Sequence, residues 1–221
     1  MTAASVVVAR DTCGRLRAMA PKPRKREPQL RSIETREKLL TGAVECLVKY
    51  GYAGTTTNTL CEVSGISRGG QQHHFPTREG LIITAVEHLT ARVIEIVRNG
   101  AENISPNEDP VSAVLKLLWD GFSDRWFSAA YELWVAARTD ETLRAVFIPA
   151  ERSAGRAILK LCLEVLPRDI TEQECFNLNL QCTINMMHGL ALTHIIRTDE
   201  MVEAYTLSLC REILLGKLRV S

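Results

Sequence analysis

The segment Ser64-Gly-Ile-Ser-Arg-Gly-Gly-Gln-Gln-His-His-Phe-Pro-Thr-Arg-Glu-Gly80 constrains the fold more than any other stretch of the chain. Gly65 sits where a helix must reverse, a position that favours positive φ, which glycine adopts without steric cost. Ile66 can drop between the two helices that this turn joins. Ser67 caps the next helix, and Pro76 stops it after His74 and Phe75. Thr77, with Glu79 and Gly80 behind it, restarts a helix that runs on Leu81, Ile82, Ala85, Val86 and Leu89. Upstream, Thr55 and Thr56 can cap a helix that ends at Ser64.

Two short helices joined by a glycine-centred turn form the layout of a helix-turn-helix. The second helix of such a motif enters a DNA major groove. Here that helix is the octet Ser67–His74, which has almost no apolar face of its own. A helix that short and polar is marginal alone in water, so packing at its ends must hold it for display. Its exposed side is expected to carry Arg68, Gln71, Gln72 and His73, residue types that donate to base edges and phosphates.

Ser32 to Tyr50 has Leu40, Ala43, Val44 and Leu47 at helical spacing, with Lys38, Glu45 and Lys49 between them. Gly51 ends that helix, and Tyr52 supplies an aromatic anchor before the threonine cap. Three helices in so short a span make a small bundle with one core cluster, thin as a domain by itself.

These residues resemble the N-terminal domain of TetR-like transcriptional regulators. The resemblance rests on Thr35-Arg-Glu-Lys-Leu-Leu, Gly51-Tyr-Ala-Gly-Thr-Thr-Thr, Ser64-Gly-Ile-Ser-Arg-Gly-Gly and His73-His-Phe-Pro-Thr-Arg-Glu-Gly-Leu81, in that order and spacing. It implies an all-α homodimer whose first three helices bind operator DNA. The larger remainder would bind a small-molecule effector and dimerise. Most such proteins are repressors that leave their operator when the effector binds; an activator is the alternative. The implied organisation is a basic arm over 1–31, a helix-turn-helix domain over 32–80 and a helical effector and dimerisation domain over 81–221.

Residue roles follow from the resemblance where positions match. Thr56, beside Thr55, would cap the second helix and contact phosphate through its hydroxyl and backbone N–H. Ser67 would cap the recognition helix, Arg68 would contact a phosphate or base, and Gly69 would let the backbone approach DNA closely. His74 matches a common family histidine before a structural Phe75. Arg78, after Thr77, stands where the family often has a phosphate-binding lysine. The family's frequent tyrosine is replaced by Gln72, and a small or apolar residue by Gln71. Two adjacent glutamines suggest a different base preference, because Gln pairs bidentately with adenine. Gly70 replaces a usual alanine, a change that weakens a helix by roughly 1 kcal/mol.

Charge agrees with this division. Residues 20–80 carry ten basic and six acidic side chains, and residues 81–221 carry 14 and 19. A basic front and an acidic rear suit a protein that presents one end to phosphates. Residues 1–31 include Pro21, Pro23 and Pro28 among Lys22, Arg24, Lys25 and Arg26, with no apolar period. They read as an unstructured basic arm or a solvated tail, with Met19 as an alternative start. Val6-Val-Val-Ala9 is too short for a signal segment. No stretch reaches the roughly 18 apolar residues of a membrane span. The expectation is a soluble, cytoplasmic protein.

The seven cysteines, at 13, 46, 61, 162, 175, 182 and 210, include no Cys-x-x-Cys pair. The histidines form no metal pattern either, and neither metal nor cofactor is implied. Strand signals are missing, and the rear reads as helices throughout. A helical run over 111–138 breaks near Ser123–Arg125. Another starts at a Thr139-Asp140 cap, is kinked or interrupted by Pro149, and ends at Pro167. The last two cover Thr171–Arg197 and Asp199–Leu218.

Trp119, Phe122, Trp126, Phe127, Tyr131 and Trp134 crowd the middle. Such residues fill cores. Trp119, Phe122, Trp126, Phe127, Tyr131 and Trp134, with Met186, Met187 and His188 from a later helix, are also candidates to line a pocket for an apolar or aromatic effector. By the resemblance, the last two helices pair with their copies in a second subunit through Cys182, Met186, Gly189, Tyr205, Leu209 and Ile213. Of two other classes of function, a helical interaction protein without DNA contact and an enzyme using Cys175 with His188 and Glu172, the second lacks an orienting group and an oxyanion loop. No enzymatic activity is expected.

Overall fold

The computed structural model describes residues 26–105 and 107–217. Ten helices and no strand make up these residues: α1 (Arg26–Gly54), α2 (Thr57–Ser64), α3 (Arg68–His74), α4 (Arg78–Asn103), α5 (Pro110–Phe122), α6 (Arg125–Ala137), α7 (Glu141–Val165), α8 (Arg168–Thr171), α9 (Phe176–His194) and α10 (Glu200–Leu214). The all-α expectation holds. Residues 1–25 of the expected arm lie outside the described residues, but 26–31 form the first turns of α1 and are not unstructured.

Local chemistry sets the boundaries of the front helices. Gly51 takes φ 68° and breaks α1. Thr56 caps α2 by accepting from the Thr59 N–H, and Thr59 Oγ1 accepts from the Thr56 N–H in return, a reciprocal capping box. Gly65 closes α2 in the left-handed region at φ 67°. Ser67 and Thr77 cap α3 and α4 by accepting from the Gly70 and Gly80 N–H groups.

Three apolar clusters hold the helices together. The front cluster joins Leu39, Leu40, Ala43 and Cys46 of α1 to Leu60, Phe75, Leu81 and Ala85. The rear cluster runs from Val97 through Val114, Leu118 and Trp119 to Leu161, Met187, Cys210 and Leu214. Between them lies a seam in which Val44 and Leu47 of α1 meet Ile82, Val86 and Leu89 of α4, Ala129, Leu133 and Ala137 of α6, and Leu143 of α7. The front and rear therefore share buried surface, and burial of this kind contributes about 25 cal/mol per Å².

Several boundaries differ from expectation. Helix α7 runs through Pro149 without interruption. Proline deletes the bond to the carbonyl of Ala145, but both residues are exposed, so water can satisfy that carbonyl. Residues 172–175 separate α8 from α9, so Thr171–Arg197 is not one helix. The final helix stops at Leu214, and Gly216 follows in the left-handed region. The break at Ser123–Asp124 is present: Asp124 caps α6 by accepting from the Trp126 N–H at 2.8 Å.

Candidate DNA-reading surface and effector cavity

Helix α3 displays one row of side chains. Ser67, Arg68, Gly69, Gln72 and His73 are exposed, as are Thr56 and Thr77 at the neighbouring caps, and His74 is half-buried. Arg68 has no ion-pair partner among the described residues. A Cβ added at Gly69 would meet nothing within 4 Å, so no intramolecular contact requires glycine there.

Four expected roles at this end change. Gln71 is 2 % exposed, and its Nε2 donates to the Phe75 carbonyl at 2.6 Å. It closes the end of α3 and is not on the outward row. Thr55 is fully buried, with its hydroxyl donating to the Gly51 carbonyl at 2.8 Å. Arg78 is half-buried; its Nε donates to the Thr55 carbonyl at 3.0 Å and its Nη2 to the Tyr52 carbonyl at 2.6 Å. Its guanidinium also lies 4.3 Å from the Tyr52 ring centroid. The carbonyls at the α1–α2 break need donors, and Arg78 supplies them, which gives it a structural role at this junction. The Thr56 N–H is likewise held inside the chain, by Thr59 Oγ1 at 2.9 Å, and is not free for phosphate.

Behind this end lies a cavity of about 620 Å³ between α4, α6, α7, α9 and the end of α5. Phe122, Trp126, Phe127, Tyr131, Trp134 and His188 line it as expected, joined by Phe147. Trp119, Met186 and Met187 do not. Trp119 is buried and turned toward α10, with its indole N–H donating to Glu203 at 2.9 Å. Met187 is fully buried in the rear core, because it lies about 100° around α9 from His188. Cys175 is exposed and outside the cavity, so the Cys175–His188 pairing is not assembled.

The His188 ring sits among four aromatic rings, with centroids at 4.5 Å from Phe122, 5.0 Å from Phe127, and 6.1 Å from Tyr131 and from Trp134. Burial pulls its pKa down to about 4, so it is neutral at pH 7 and offers one donor and one acceptor. The Tyr131 hydroxyl donates to the His188 carbonyl and ties α6 to α9 across the cavity. Asn177, Gln181 and Asn185 add further polar groups from α9. Sequence reading missed Phe147, Arg152 and Arg156 on α7, for which only the helical spacing of 152 and 156 gave a hint.

On the outside, Leu178, Cys182, Gly189, Leu192 and Ile196 form an exposed stripe along α9 and its end, beside Met201 and Tyr205 of α10. Leu209 and Ile213 are half-buried at its edge. Met186 instead packs against the core of its own chain. Among the described residues no group of three or more metal-ligating side chains occurs, and no helix is long and apolar enough to cross a membrane.

Residues 39–85 match the family model described as "Bacterial regulatory proteins, tetR family". Over 195 residues the chain is 30 % identical to the HTH-type transcriptional regulator CymR of Pseudomonas putida, covering 86 % of this chain and 96 % of that one. The chain belongs to the TetR family. It is a helix-turn-helix, DNA-binding transcriptional regulator. It is also 31 % identical over 125 residues to the HTH-type transcriptional repressor AcnR of Corynebacterium glutamicum, covering 56 % of this chain and 62 % of that protein. A TetR-family regulator structure from Rhodococcus sp. superposes with a TM-score of 0.66 at 16 % identity, covering 82 % of this chain and 99 % of that one. The rear half of this TetR-family chain thus follows the family's fold, although the family model matches only the front.

Proposed function

We propose that this regulator is a homodimeric repressor that reads a palindromic operator and leaves it when a small molecule fills the rear cavity. Residues 32–80 form the reading unit, and 81–221 form the effector and dimerisation unit. Arg68, Gln72 and His73 reach base edges or phosphates. Ser67, Gly69, Thr56 and Thr77 lie against the backbone, where hydroxyls and close main chain suit phosphate contact. The exposed stripe on α9 and α10 meets its copy in the second subunit, since a two-fold axis makes one apolar patch cover another.

One observation carries the reading. Helix α4 packs Leu81 and Ala85 beneath the reading helices, and from Val86 and Leu89 onward to Val93 and Ile96 it lines the cavity. An occupant that displaces α4 must alter the separation of the two copies of α3, which must lie near one DNA turn, roughly 34–36 Å apart. An effector that binds the released state about 100-fold more tightly shifts the balance by about 2.7 kcal/mol per site.

A gel-shift titration with the DNA flanking its own coding region, at two stated salt concentrations, tests this. Retention of one fragment over competitor DNA, weakening steeply with salt, is expected. Equal retention of every fragment would contradict sequence-specific reading.

A further inference from the structure

The covalent connection through α4 is not the only link between cavity and reading helices. Four groups of Tyr52 are engaged, by three different helices. Its backbone N–H donates to Glu132 Oε2 of α6 at 3.1 Å. Its hydroxyl donates to Asp140 Oδ2, the N-cap of α7, at 2.7 Å. Its carbonyl accepts from Arg78 of α4, whose guanidinium covers its ring.

Each anchor leads somewhere definite. Glu132 stands on α6 between the cavity-lining Tyr131 and Trp134. Asp140 Oδ1 accepts from the Leu143 N–H at 2.9 Å, so it starts the helix that carries Phe147 into the cavity. Arg78 also holds the carbonyl of Thr55, the residue before the cap of α2. The α1 break is shaped around this junction. Gly51 has φ 68°, a left-handed conformation that favours glycine, and a Cβ there would meet Glu132 Oε2 at 2.8 Å, so a side chain at this position would press on the carboxylate that holds the Tyr52 N–H.

We infer that Tyr52 is a positioning residue that transmits the arrangement of the cavity walls α6 and α7 to the cap of α2. Hydrogen bonds at 2.7–3.1 Å weaken steeply with displacement. A shift of α6 or α7 therefore either drags Tyr52 or breaks its bonds, and Tyr52 is braced to the reading helices by Arg78. The apolar α1–α6 seam keeps the helices in contact, and the polar latch fixes their register. This inference rests on the proposed coupling of cavity and operator and assigns part of it to particular atoms.

The test uses tryptophan emission as a report from the cavity wall, with Trp119→Phe as background so that Trp126 and Trp134 give the signal. The DNA is the flanking duplex that the full-length protein retains. Adding it is expected to change the emission of the parent protein. In Tyr52→Phe the duplex should still bind within about threefold, while the emission change falls at least about threefold. Glu132→Ala should behave likewise, and Glu132→Gln, which keeps an acceptor oxygen, should restore the change; this pair decides the matter if Tyr52→Phe does not fold. A parent protein that binds no duplex would refute the proposed function. A parent that binds without an emission change, or a Tyr52→Phe protein that keeps the full change, would overturn the latch alone. A folded Tyr52→Phe protein without DNA binding would also overturn it, because Tyr52 would then only be holding the reading helices in place.

Discussion

The side-chain amide of Gln71 donates to the carbonyl of Phe75 at 2.6 Å, so of two adjacent glutamines on the reading helix one is inward and structural. Gln71→Ala would leave a helix-end carbonyl buried without its donor. The expected cost is about 1–2 kcal/mol of stability, read by urea denaturation, with base preference unchanged. Gln72→Ala should leave stability within about 0.5 kcal/mol and relax selectivity at one base position by about 1–3 kcal/mol, read by competition between operator variants.

Arg68 and Arg78 should separate in salt titrations. Arg68 is exposed, and its replacement by alanine should lower the slope of log affinity against log salt by about 0.9 if it neutralises one phosphate. If it instead reads a base, the loss of about 1–3 kcal/mol will fall on the cognate site only. Arg78→Ala should leave that slope unchanged and cost about 1–3 kcal/mol of folding stability, because the carbonyls of Tyr52 and Thr55 lose their donor.

His188 makes stability depend on pH. Burial lowers its folded pKa to about 4, against about 6.5 when unfolded. Between those values the unfolded chain binds a proton that the folded chain refuses. The contribution is therefore whole above about pH 6.5 and is lost as pH falls toward 4. Moving from pH 7 to pH 5 should remove about 2 kcal/mol. Denaturant midpoints of the parent and of His188→Gln, compared at the two pH values, check this: the variant should lack that part of the loss.

The stripe on α9 and α10 should behave as a subunit interface. Ile196 is 89 % exposed and Tyr205 68 %. The double variant Ile196→Glu and Tyr205→Glu should sediment as a monomer while keeping its helical circular dichroism. Its operator affinity should fall by about 100-fold or more, since two half-sites can no longer be engaged as one unit.

The local signals in the sequence were the ones that held. Thr56, Ser67, Thr77 and Asp140 cap the helices expected of them, and Gly65 turns the chain as its lack of a Cβ allows. A cap depends on a few neighbouring residues, so it can be read without the rest of the fold. Side-chain direction could not be read this way. Gln71 looks as polar as Gln72, and only the packing of α3 against its neighbours shows which of them faces inward. Trp119 and Trp134 belong to one aromatic cluster in sequence, yet α5 turns the first toward Glu203 and α6 turns the second into the cavity. The bond from Tyr52 to Asp140 spans 88 positions and leaves no mark in sequence spacing.

The central claim is that the exposed row Arg68, Gln72 and His73 reads duplex DNA. Anisotropy titration of the parent protein and of Arg68→Ala against a retained flanking fragment and a scrambled duplex, at two salt concentrations, tests it most directly. The account predicts tight binding of the parent to the flanking fragment alone, steep weakening with salt, and a marked loss on removal of Arg68. Equal affinity of the parent for both duplexes, or an Arg68→Ala protein that binds as the parent does, would contradict it.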